Sequence, residues 1–245
     1  MKRIAVLAAV AFGLALPSAA LASHSWGSYH WARTSNPFTL KLGDNVSGVW
    51  DGLLGNVSND WTAASVLNTT IVAGLGGSNC KAQYGRVEVC NRTYGFNGWL
   101  GLARIWASGS HIYQAVAKVN DSYFNTSTYD NAYAKRHVLC QEVGHTFGLH
   151  HQYAVTCMND KQGLFDSAYI KPNQHDYDQL AVTYAHTNDS TTTVSSASAP
   201  EGPGKGKPQR LSDELWVEDL GNGVRIFTFV VWVDPGVPHD FPAVD

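Results

Sequence analysis

Between residues 44 and 61 the apolar positions Val46, Val49, Trp50, Leu53, Leu54, Val57 and Trp61 recur at three- and four-residue steps. That spacing lays one stripe along an amphipathic helix and marks it as core-facing. Asp44 stands at its N-cap position, where a carboxylate can accept from the free amides of a first turn. Three or four β-like stretches follow, around residues 70–72, 86–90, 99–106 and 111–119, separated by glycine-rich turns. A second helix is expected over residues 133–148, ended by Gly148. A third starts near Asn173 and carries Tyr177, Leu180, Ala181 and Tyr184 on one face. The order helix, strands, helix, helix points to an α+β layer fold.

The ends of the chain have a different texture. Residues 1–22 open with Lys2 and Arg3, continue as an apolar run from Ile4 to Leu16, and close on Ala20-Leu21-Ala22. This is the pattern of a secretory signal peptide; the run is shorter than the ~20 residues a spanning helix needs. Residues 23–186 have the composition of one globular domain. Residues 187–209 are rich in Ser, Thr, Pro and Gly and read as a linker. In residues 210–245 two β-like runs flank Gly221-Asn222-Gly223, a hairpin signal. A lone hairpin is marginal in water, so this tail is expected to lie against the main domain or a partner.

Four cysteines, Cys80, Cys90, Cys140 and Cys157, favour two disulfides in an exported chain. Three pairings are open. The local ones, Cys80 with Cys90 and Cys140 with Cys157, are preferred because each closes a short loop; a four-cysteine zinc site lacks the usual paired spacing. A net charge of -3 with 15% charged residues provides no basic face for nucleic acid or an anionic membrane. The expectation is a secreted (extracellular or periplasmic) chain with no nucleic acid and no membrane partner, its oligomeric state open with a monomer preferred.

The candidate chemistry lies in residues 141–151, QEVGHTFGLHH. On a helix Gln141 and His145 share a face, with Glu142 close to it. Gly148 lets the chain double back and deliver His151 from another direction. Met158 follows in TCMND and, apart from Met1, is the only methionine. These residues resemble H-E-x-x-H-x-x-G-x-x-H and the methionine turn of the metzincin zinc peptidases, matrixin-like, with Gln141 in place of the first histidine. Residues 173–186 are similar to the closing helix of that family, and the resemblance covers roughly residues 29–186.

The resemblance implies a metzincin/zincin-like fold, a twisted mixed β-sheet packed with an N-terminal helix, an active-site helix and a C-terminal helix. It implies Zn²⁺ held by Gln141, His145 and His151, with Glu142 as general base, in a metalloendopeptidase with a protein or peptide substrate. Gln141 is a weaker donor than imidazole and is expected to lower zinc affinity. His150 competes with His151 for the third position, which the motif spacing gives to His151, and His137 is a helix-start or packing residue. A Cys140 to Cys157 disulfide would tie the metal helix to the methionine turn. Residues 99–106 would be either the sheet edge that receives an extended substrate or an ordinary interior strand. Family features not expected here are a cysteine-switch propeptide and a second zinc site; His111 stands alone on its strand, and Gln152 replaces the usual serine. The rival expectations are a catalytically inactive binding protein on the same fold and a metal-free, disulfide-stabilised structural protein.

Overall fold

The computed structural model describes residues 23–194, 199–200, 202, 204–235 and 239–244. The signal-peptide expectation for residues 1–22 and part of the linker expectation lie outside the described residues. Alternation drives the first half of the sheet. In β2 (Phe38–Asn45) Phe38, Leu40 and Leu42 are buried while their neighbours Thr39 and Lys41 are not, the period-two signature of a strand with one wet face. β2 lies between β3 (Leu67–Ala73) and β4 (Arg86–Arg92), parallel to both. β4 pairs in parallel with β6 (His111–Asn120), which also takes the two-residue β1 (His30–Trp31). β5 (Trp99–Ser108) runs antiparallel to β6. The protein is thus a mixed α+β fold built on a mixed twisted sheet.

Four α-helices complete the described structure: α1 (Val49–Thr62), the single turn α2 (Asp121–Phe124), α3 (Ala132–His145) and α4 (Gln174–Thr183). α1 buries Trp50, Leu54, Val57 and Trp61 against the sheet and α3. The expected stripe is therefore core, with Val49 as the exception at 55% exposure. The helix starts later than expected. Asp44 belongs to β2, where its carboxylate accepts from Val46 N, and the N-cap is Gly48 at φ 68°. A left-handed backbone there suits glycine and turns the chain out of the strand. α3 stops at His145, and Gly148, at φ 97°, forms the following turn. α4 is stabilised by a capping box between Asn173 and Asp176.

Both expected disulfides are present, Cys80–Cys90 and Cys140–Cys157. No helix among the described residues is long and apolar enough to cross a membrane.

The tail does not stand apart. β8 (Leu215–Gly221) and β9 (Val224–Trp232) form the expected hairpin, with positive φ at both Asn222 and Gly223, as the right-handed twist of paired strands requires. β9 then pairs antiparallel with β5, and the two-residue β7 (Gln209–Arg210) closes the outer end. Of the two alternatives for residues 99–106, the strand is interior: its far edge is already taken by β9.

Candidate functional site

α3 carries the motif and is buried on nearly every side from Ala134 to His145. Asn131 starts it by accepting from Tyr133 N and Ala134 N. Gly144 lets it come close to its neighbours: a Cβ there would stand 2.5 Å from Met158 Sδ and 2.6 Å from Trp61 Cζ2. Trp61 also donates its indole N–H to Cys140 O at 3.1 Å. The methionine of the expected turn thus packs directly beneath the motif helix, and the Cys140–Cys157 disulfide fastens the two from the side.

Gln141, Glu142 and His145 are fully buried, and the His151 imidazole is 6% exposed. The His145 and His151 rings meet with centroids 4.6 Å apart at 79°. His145 Nδ1 donates to Leu149 O at 2.8 Å, which leaves Nε2 as the lone-pair nitrogen. His151 Nδ1 faces Asp160 Oδ2 at 3.6 Å, again leaving Nε2. Neither Nε2 has a hydrogen-bond partner, and no well-aligned hydrogen bond reaches either amide atom of Gln141 or either carboxylate oxygen of Glu142, although Val231 and Ala103 aim their amides at Glu142 and His137 lies beside Gln141. Buried polar groups are nearly always paired, so six such atoms on four neighbouring side chains demand a cause.

Burial raises the Glu142 carboxyl well above its ordinary range; the amides of Val231 and Ala103 aim at it and offset this only in part. Burial, and after it the positive field of a protonated His151, lowers the His145 imidazole well below its usual value. His151 is lowered the same way, by burial first and His150 second. Both rings are therefore neutral at pH 7, the state in which imidazole can donate a lone pair to a metal.

His150 is diverted: its Nδ1 accepts from His151 N at 2.7 Å. His137 is a buried packing residue whose Nε2 lies 3.0 Å from Asn159 O, and burial pushes its pKa down to about 4. Gln152, in the position noted as unusual, bonds Asn173 and Asp176 and so ties the segment after His151 to the α4 cap. His111 does not stand alone as expected. β1 and β6 bring His30 and His111 into register, with ring centroids 5.1 Å apart, and His186 Nε2 lies 3.1 Å from His30 Nε2.

Three participants had no signal in the motif. Asp160 orients His151. Glu214, from the tail, completes with His151 and Asp160 a group whose donor atoms lie within 4.8 Å of one another. The Lys161 ammonium already bridges Asp160, at 3.1 Å, and Glu214, so this second group has its cation. Phe229, from β9, stacks on His145 at 4.1 Å and 11°. Beside Gln141 opens a cavity of about 570 Å³, walled by His137, Asp160, Phe165, Val231 and Trp232.

No family model matches this chain, and no curated protein matches it either.

Proposed function

We propose that this chain is an exported, metzincin-type zinc endopeptidase acting on proteins or peptides. One observation carries the proposal: the Nε2 atoms of His145 and His151 are buried side by side with no hydrogen-bond partner, next to Gln141 and Glu142 whose polar atoms make no well-aligned hydrogen bond, and a divalent ion with its water is the kind of partner such a group lacks. His145 Nε2 and His151 Nε2 would hold Zn²⁺, with the Gln141 amide oxygen as a third, weaker donor. Leu149 O on His145 and Asp160 on His151 hold the far ring nitrogens, and such contacts fix the tautomer and ring angle of metal-binding histidines. When bound, zinc polarises a carbonyl and makes a water acidic at neutral pH.

Glu142 suits a proton carrier. Burial raises its carboxyl well above the ordinary carboxylate range, which strengthens it as a base toward a water beside it. It takes a proton from the attacking water and delivers it to the departing amine. Two disulfides and an N-terminal export pattern support an oxidising, extracytoplasmic location.

A second function is favoured by a different observation: the site is covered, with Gln141, Glu142 and His145 at 0% exposure. On that basis the fold would serve as an inactive binding protein. Elemental analysis of purified residues 23–245, with cleavage of an unfolded protein assayed with and without chelator, separates the two. Near-stoichiometric zinc with chelator-sensitive cleavage, lost in Glu142→Ala while zinc stays bound, supports the peptidase. Absence of metal and cleavage after zinc is added back refutes it.

A further inference from the structure

The tail forms one side of the cover over the site residues. Phe229 lies flat on His145 and stands perpendicular to His151, with centroids 6.1 Å apart at 90°. Val231 brings its amide to Glu142, and Val231 and Trp232 form one wall of the cavity beside Gln141. β9 reaches these positions by pairing antiparallel with β5 along Trp99–Ser108. A backbone ladder with alternate side chains turned inward is the way an extended polypeptide occupies a free sheet edge. The tail is therefore the same kind of object as the ligand that such an edge would receive.

Its attachments are those of a fastened cover. The β5/β9 ladder is the one strand seam that joins the hairpin to the remaining described sheet. Around it lie Lys161 with Glu214, Arg104 Nη2 with Glu218 at 2.6 Å, and Tyr129 Oη donating to Val233 O at 2.6 Å. On the outer face Trp216 packs on Trp232 and Phe241. The segment before β7 contains no helix or strand among its described residues, and a tether of this composition keeps a detached hairpin at millimolar effective concentration.

We propose that the β8–β9 hairpin is a self-inhibitory cover that fills, in cis, the β5 edge above Glu142, His145 and His151, so that an extended polypeptide enters only when the hairpin is displaced or cut from its tether. The proposal rests on the peptidase function above for its purpose, but its physical content is separable from catalysis.

The test uses metal-free residues 23–245 and the variant Trp216→Ala, which weakens the outer face without touching the site. Native-state hydrogen exchange should show β8 and β9 amides opening together in a step that α3 and β6 do not share, and the variant should raise that opening at least tenfold. A labelled peptide carrying residues 224–232 between solubilising lysines should bind the variant at least tenfold more tightly than the parent. Exchange of β9 only in concert with α3 overturns the proposal, since the hairpin is then core. So does an open hairpin without tighter peptide binding. If the variant does not fold, the parent's exchange pattern decides alone. Separate opening and tighter peptide binding, with no cleavage by any zinc-loaded form, uphold the cover and refute the peptidase.

Discussion

Replacing Gly144 by alanine sets two known effects against each other. Alanine is favoured over glycine in a helix interior by about 1 kcal/mol, so on propensity alone Gly144→Ala stabilises α3. Against this, the added methyl would lie 2.5 Å from Met158 Sδ, 2.6 Å from Trp61 Cζ2 and 3.1 Å from Trp61 Cη2, where carbon contacts are relaxed near 3.5–4.0 Å. The indole is held by its bond to Cys140 O, and Met158 sits one residue from the disulfide, so neither neighbour yields freely. Overpacking of this kind costs about 1–3 kcal/mol. Because the contacts are so close, the upper part of that range applies, and the net loss is about 1–2 kcal/mol. For a chain of this size that lowers Tm by roughly 3–8 °C. Urea and thermal melts of parent, Gly144→Ala, Met158→Ala and the double variant measure both the loss and its origin. Met158→Ala removes part of the clash, so the double variant should be more stable than additivity requires by at least about 1 kcal/mol. A Gly144→Ala protein as stable as the parent, or strictly additive variants, would refute the close-approach argument.

Glu142→Gln should stabilise the metal-free protein at pH 7 by about 1–3 kcal/mol and remove the proposed cleavage, because it removes a buried carboxyl whose burial the Val231 and Ala103 amides offset only in part. Its raised pKa means that the parent's stability from this group is present below the unfolded value of 4.5 and is lost as pH rises through the folded value. The gap between variant and parent in a pH series of melts should widen above pH 4.5; a constant gap contradicts this. His137 acts in the opposite sense: with its pKa lowered from 6.5 to about 4, its contribution is present above pH 6.5 and is lost as pH falls toward 4, to a total of roughly 3 kcal/mol. His137→Gln should flatten that part of the acid-denaturation curve, and an unchanged slope would show that the ring is not neutral and buried. Loss of the Cys140–Cys157 disulfide, which closes a separation of 17 residues, should cost about 3 kcal/mol in urea melts of the double alanine variant. A loss below about 1 kcal/mol would mean that the methionine turn is held by packing alone.

The parts of the fold legible in the sequence were those written in local periods. α3 and α4 appear within three residues of their expected ends, and β3 to β6 lie where branched and aromatic residues cluster. β2 is not among the expected strands although Phe38, Leu40 and Leu42 alternate correctly, because Asp44 at its end reads as a helix cap. A carboxylate two residues before a free amide makes the same short bond in a turn as at a helix start. β1, two residues long, has no period to read. Its pairing with β6, which joins His30 to His111, depends on partners 81 positions apart.

The candidate site divides in the same way. Gln141, Glu142 and His145 were placed by the helix period, and His151 by the glycine turn, because the spacing of residues on one rigid element and its exit fixes their directions. Asp160 and Phe229 were not legible. Contact between His145 and a phenylalanine 84 residues later is decided by which sheet edge the hairpin joins, and backbone ladders pair any strand with any exposed edge. By itself, then, the sequence determined the local elements, the hairpin, the preferred disulfides and the four side chains of the motif. Only the tertiary structure decided that those side chains are buried together, and that a strand covering them belongs to the same chain, because burial and edge pairing depend on the assembled sheet and not on any local period.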